Sequence, residues 1–277
     1  MKTVTKIWIC LLVALSILLI PSCAREEFLV AYASDYGGAI EFTSGEFDLD
    51  KITAMRYSTS PYFNYSCYVS KNHGYGKRED RLIVSNEWSE TIKTIIAGSG
   101  WFVGVDYSEF LSGIMYYPST NGREFGGMEP KMVLGENCVG LFEINNELYA
   151  VTCYNSCTEA PTNVSLYRLI YPTKENGLKC YAEKITEIPD VNFADAATVT
   201  DDGLIYVVTA EHFYSISTDG TVTNIDVPEE WMYLCKDSIV EVNRDIYVGT
   251  HCGILRYEPD MDKFTWFPAD YENMIIK

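Results

Sequence analysis

Basic residues and histidine are scarce: the 277 residues hold 3 His and 21 Lys plus Arg against 39 Asp plus Glu. The net charge of −18 repels phosphate backbones and anionic headgroups, so no nucleic-acid partner is expected. No Gly-x-Ser-x-Gly, Walker, Gly-x-Gly-x-x-Gly or His-Glu-x-x-His pattern occurs. Nucleophile-elbow hydrolases, P-loop enzymes, dinucleotide enzymes and common zinc peptidases therefore lack their local chemistry here, and no cofactor is expected. Asp48-Leu-Asp50 and Asp260-Met-Asp262 have carboxylates at calcium-loop spacing, but neither has the downstream Gly and Glu of that loop, so both read as turns. After Ile20 no further apolar run approaches the about 20 residues that a membrane helix needs.

The N-terminus carries a targeting signature. Lys2 and Lys6 form a basic region, and Ile7 to Ile20 is an apolar run too short for a comfortable membrane span. It closes on Leu19-Ile20-Pro21-Ser22-Cys23, which resembles the bacterial lipoprotein signal. That resemblance implies a signal peptide over residues 1–22, acylation of Cys23 and a mature domain over residues 23–277 in the bacterial cell envelope, extracytoplasmic and held to its membrane by the lipid. Ordinary cleavage after Ala24, releasing a secreted protein, is the alternative. Losing Lys2 and Lys6 would deepen the charge of the mature chain to about −20.

The rest of the chain reads as short strands in repeats. Residues 238–267 contain four, at Ile239 to Val242, Ile246 to Thr250, Ile254 to Tyr257 and Phe264 to Phe267, joined by tight turns. Leu148 to Cys153, Ile205 to Ala210 and Ile246 to His251 superpose without gaps, aligning Tyr149, Tyr206 and Tyr247 at spacings of 57 and 41 residues. Turns at Asn145-Asn146, Asp201-Asp202-Gly203 and Asn243-Arg244 precede them, and Phe142, Val199 and Val240 share one position in the strand before. Fainter copies occur at Trp101 to Asp106, Ser66 to Ser70 and Leu29 to Ala33. The stretch preceding Trp101 has a helical alternative, with Asn86 as cap and Gly98 as stop, but the repeat spacing favours a strand over Thr91 to Ala97. Repeats of this length match four-stranded propeller blades of about 40 to 50 residues. The expected fold is an all-β, single propeller of about six blades. Glu272 to Lys277 is expected to supply the inner strand missing before Phe28 and so close the ring.

The last blade, Asp245-Ile-Tyr-Val-Gly-Thr-His-Cys-Gly-Ile-Leu-Arg-Tyr-Glu258 with Phe264-Thr-Trp-Phe267, resembles the repeat of two-component-regulator-type sensory propellers. The likeness covers about 30 residues and implies the propeller fold and an envelope location. Those sensors continue into a membrane helix and kinase machinery, which this sequence does not show.

In such meanders the turns between second and third strands share an end with the links between blades. Asn155, Glu211, His212 and His251-Cys252 fall there, with Asp35 and Asp106 in the earlier blades. These form the candidate ligand-binding rim. Imidazoles and a thiol suit zinc, yet no fixed ligand spacing occurs, so no metal site is assigned. Trp231, in a blade link, is either an exposed rim contact or a lid on the core. Two functions remain open: a binding module for a protein or glycan, or a hydrolase or lyase using rim carboxylates and histidine around the central channel.

Of nine cysteines, Cys10 lies in the signal and Cys23 is the lipid site, leaving an odd seven. Cys235 and Cys252 are equidistant from the Asn243-Arg244 turn, at a non-hydrogen-bonded position where strands come closest, so a disulfide is expected there. Cys138 and Cys153 are equidistant from Asn145-Asn146 at the wider pair type, with Cys157 competing, while Cys67 and Cys180 are expected free. A Cys235 placed in the blade link, or a reducing host, would leave thiols instead.

Overall fold

A computed structural model describes residues 27–33, 39–47, 66–71, 80–85, 92–97, 100–105, 113–118, 129–154 and 163–268. The signal segment, Cys23, Asp35, Asp106, Asn155, Cys157 and Glu272 to Lys277 lie outside these residues.

The first sheet holds β1 (Phe28–Ala33), β2 (Ala39–Thr43), β3 (Ser66–Lys71) and β4 (Asp80–Ser85), in the order β2-β1-β4-β3. The second holds β5 (Ile92–Ala97), β6 (Gly100–Val105), β7 (Gly113–Pro118) and β8 (Lys131–Leu134). The third is β9 (Asn137–Ile144), β10 (Glu147–Cys153), β11 (Ser165–Ile170) and β12 (Tyr181–Glu187). The fourth is β13 (Ala196–Val199), β14 (Ile205–Val208), β15 (Phe213–Ile216) and β16 (Val222–Ile225). The fifth is β17 (Lys236–Val242), β18 (Asp245–Thr250), β19 (Gly253–Glu258) and β20 (Lys263–Pro268). Sheets two to five are antiparallel meanders in chain order. Ile92–Ala97 is a strand, as the repeat spacing predicts.

The sheets pack in succession: β5 on β9, β9 on β13, β13 on β17, and β17 back on β3. This differs from the six-blade expectation at the N-terminal end. Leu29 to Ala33 and Ser66 to Ser70, expected in separate blades, share the first sheet, where β1 runs parallel to β4. The edge facing β17 belongs to β3. The equivalence failed because these faint copies lack the turn residues that mark second strands elsewhere.

The second strands β10, β14 and β18 are buried on both sides, which explains their near-continuous apolar sequences. Leu148 and Ala150 of β10 pack toward the second sheet, with Phe102, Ile114 and Tyr116. Tyr149 and Val151 face the other way, against Ile205 and Val207 of β14. Tyr206 and Val208 then meet Ile246 and Val248 of β18. Tyr149 and Tyr206 are thus spacers, each filling the wedge toward the next sheet.

The hairpins are set by local chemistry. Asn145 and Asn146 have φ of 53° and 64°, and Asn243 and Arg244 have 55° and 75°. Those are two-residue turns with the left-handed backbone that matches strand twist. They place Tyr149 opposite Phe142 and Tyr247 opposite Val240. Tyr206 instead faces Thr198, because the turn after β13 is longer and closes between Thr200 and Leu204. Val199 therefore does not share the position of Phe142 and Val240.

Candidate functional site

The second-to-third-strand turns and the links between sheets lie at one end, here called the connection end. Hydrogen bonds tie each turn to a link. Tyr154 N–H donates to Asn192 O at 2.8 Å, and Trp231 Nε1 donates to Thr209 O at 3.2 Å. His251 N–H donates to Cys235 O at 3.1 Å, and the Cys235 N–H donates to His251 Nδ1 at 3.2 Å.

A repeated threonine closes the second strands of the third, fourth and fifth sheets. Thr152, Thr209 and Thr250 are all buried. Thr209 Oγ1 donates to His212 O at 3.1 Å and Thr250 Oγ1 to Gly253 O at 2.9 Å, fixing the turns that present His212 and His251. Gly253, at φ 155°, leaves no room for a Cβ against Phe267 O and the Trp266 ring. Thr152 Oγ1 reaches the Glu136 carboxylate at 2.5 Å instead, and Tyr167 donates to the same group at 2.9 Å. Burial and the Glu136 charge together hold the Tyr167 hydroxyl well above its ordinary pKa.

Lys236 opens the inner strand of the fifth sheet and is buried. Its ammonium donates to Ala210 O and Trp231 O, each at 2.8 Å, and lies 4.9 Å from the Trp231 ring centroid. Trp231 itself is buried against Phe213 and Phe264, so it is a lid on the core rather than an exposed rim contact. Asp195 precedes the inner strand of the fourth sheet. It is exposed by area, yet protein crowds its carboxyl, and loss of hydration lifts its pKa from 3.8 to about 6. The Lys236 charge opposes that rise and Asp237 adds to it, so the three groups sense one another across adjacent sheets.

Of the expected rim, Glu211 and His212 lie in the fourth-sheet turn and His251 in the fifth, all at the connection end. His212 packs on Tyr214 with ring centroids 5.6 Å apart. Asn155, Asp106 and Asp35 fall outside the described residues. Among the described residues, no three of His, Cys, Asp and Glu gather closely enough to hold a metal ion.

The cysteine register is corrected by two bulges. Pairing from the Asn243-Arg244 turn holds to Ser238 opposite Gly249, then slips so that Lys236 faces Thr250, leaving Asp237 as an extra residue. Cys235 consequently lies opposite His251, not Cys252; Cys235 is exposed and Cys252 is a buried thiol. Burial pushes the Cys252 thiol up to about 11. An equivalent slip at Val139 places Cys138 opposite Thr152 and Cys153 opposite Asn137.

Sequence reasoning missed Asp195, Lys236, Asp237 and Glu136, because strand-initial residues carry no turn signature and the bulge hides their row. It also missed an apolar feature of this end. Phe193 is 60% exposed and meets Tyr154 edge-on at 5.5 Å, and Met232 is 54% exposed.

No family model matches the chain, and no curated protein matches it. Among solved structures, it is similar to the extracellular domain of a protein described as a one component system of B. thetaiotaomicron. The identity is 16% and the TM-score 0.41, over 88% of this chain and 28% of that one. It is also similar to virginiamycin B lyase from Staphylococcus aureus, at 13% identity and a TM-score of 0.38, over 86% of this chain and 61% of that one. A DUF4623 family protein from Bacteroides eggerthii matches at 11% identity and a TM-score of 0.37, over 88% and 61%. At these values none of the three assigns this chain an activity, a partner or a location.

Proposed function

We propose that the chain is a β-propeller of the bacterial cell envelope, anchored by a lipid on Cys23, whose connection end binds a protein or glycan. Sheets two to five pack in chain order and the fifth packs on the first, which supports a propeller whose described residues supply five blades. The observation that carries the binding reading is Phe193. A large aromatic ring, 60% exposed yet braced by Tyr154, loses little freedom when a partner covers it. Its link is pinned by Tyr154 N–H on Asn192 O and Val164 N–H on Val191 O, and leads directly to the crowded Asp195 carboxylate. An aromatic face beside hydrogen-bond acceptors suits a sugar ring or a peptide side chain. The test is a benzophenone amino acid at Phe193, with Met261 at the opposite end as control, irradiated in producing cells. An adduct from position 193 alone is expected; adducts from neither, or equally from both, overturn the assignment.

Asp195 also favours a second reading, as a hydrolase or lyase. A carboxyl that desolvation lifts to about 6, within range of the charge of the buried Lys236, is suited to proton transfer. On that reading Asp195→Asn abolishes turnover of a polysaccharide or lactone panel while leaving folding intact. Unchanged turnover in the variant removes it.

A further inference from the structure

We infer that the chain leaves the fold toward its membrane from the end opposite the connection end, so that the Phe193 and Asp195 surface faces the aqueous phase. The inference rests on the Cys23 anchor proposed above and adds the orientation that the anchor imposes. Glu27, the first described residue, is tied down on the fifth sheet. Its carboxylate pairs with Arg256 of β19 and with Lys263 at the start of β20, and Arg256 also holds Glu258 at 3.0 Å. The Arg256 side chain is only 13% exposed and the Glu258 side chain 14%, so the inner part of this network is sheltered, while Lys263 at 45% and Glu27 at 32% reach solvent. The backbone is fixed as well. Glu27 N–H donates to Ser44 Oγ at 2.9 Å, Ser44 N–H to Glu27 O at 2.8 Å, and Gly45 N–H to Trp266 O at 3.0 Å. Phe47 then stacks on Trp266 at 5.2 Å.

The direction of β19 decides which end this is. It starts at the His251-Cys252 turn, on the connection end, and runs to Glu258, which pairs with Lys263 at the other end. Six residues of strand separate the two ends by about 20 Å. Arg256 and Lys263 lie in the far half, so Glu27 is held away from the connection end.

The tether is short. Four residues, from Cys23 to Glu27, span at most about 14 Å when fully extended. Such a reach cannot carry the lipid around the domain to the connection end. The turns at the end facing the lipid carry Asp201, Asp202, Asp219, Asp260, Asp262 and Glu175 against Lys174, Lys179 and Arg244, a net acidic set that repels anionic headgroups. The domain stands off the bilayer on its tether and presents the opposite surface outward. The partner is accordingly a macromolecule or glycan reached from the aqueous side, not a lipid or a membrane-embedded segment.

The test uses the full-length lipidated protein in vesicles doped with metal-chelating lipids, which quench fluorophores only at short range. A dye is coupled through a non-natural amino acid at Met261 or at Phe193, both exposed and at opposite ends. Quenching severalfold stronger at Met261 than at Phe193 is the expected result. Equal quenching, or stronger quenching at Phe193, in protein that floats with the vesicles overturns the orientation. Protein that does not float, matching Cys23→Ala, overturns the anchor and the orientation with it. A flexible insertion between Ala24 and Glu27 should erase the difference between the two positions.

Discussion

Replacing Lys236 with methionine keeps its volume and removes its charge. In the native fold the ammonium satisfies two carbonyls at 2.8 Å, those of Ala210 and Trp231, and sits over the Trp231 ring. A hydrogen bond to a charged group contributes about 1.5–3 kcal/mol, and a buried carbonyl left without its donor costs about 1–3 kcal/mol. Relief of the desolvation that the buried ammonium suffers offsets part of that loss. The net expectation is a destabilisation of about 2–4 kcal/mol, within the range of broken buried polar networks. For a domain of this size that lowers Tm by about 6–12 °C. Urea unfolding at pH 7 should show a lower midpoint with an unchanged slope, because the surface exposed on unfolding is the same. The same substitution should raise the Asp195 pKa further, since Lys236 is the group that opposes its shift. A loss below about 1 kcal/mol, with the Asp195 titration unmoved, would refute Lys236 as the clasp between the fourth and fifth sheets.

Four further outcomes are expected. Asp195→Asn should have no effect below about pH 4, stabilise the fold increasingly between about pH 4 and 6 and fully above pH 6, because a carboxyl whose pKa is raised by folding ionises first in the unfolded chain and favours it from there upward; urea midpoints at pH 8 and at about pH 3.5 test the sign. Arg244→Gly should add about 0.5–1 kcal/mol, since Arg244 sits at φ 75° in a turn that prefers glycine there, and a lower melting temperature would contradict that turn geometry. Non-reducing peptide mapping should return Cys235 and Cys252 as separate thiols; a peptide joining them would mean that the bulge at Asp237 is absent from the native register. Labelled palmitate should enter the wild type and not Cys23→Ala, and equal labelling would remove the anchor.

The sequence by itself determined the features that depend on a few neighbouring residues. Asn145-Asn146 and Asn243-Arg244 announce their turns because left-handed backbone is a local property, and each fixes the register of the strands beside it. The gapless row of Tyr149, Tyr206 and Tyr247 exposes the repeat, and Tyr149 and Tyr206 each fill the space between their own sheet and the next. It likewise settles Ile92–Ala97 as a strand against its helical alternative. The connection-end placement of Glu211, His212 and His251 follows from meander topology alone. Tertiary structure decided what rests on packing between distant segments. The bulges at Asp237 and Val139 shift the pairing by one residue, so counting outward from a correctly placed turn still misplaced Cys235 and Cys138. Joining Leu29 to Ala33 and Ser66 to Ser70 in one sheet depends on a parallel pairing that no local turn encodes. The burial of Lys236 and the crowding of Asp195 arise only when two links and two sheets converge, since desolvation is summed over every neighbour and no short stretch of chain contains that sum.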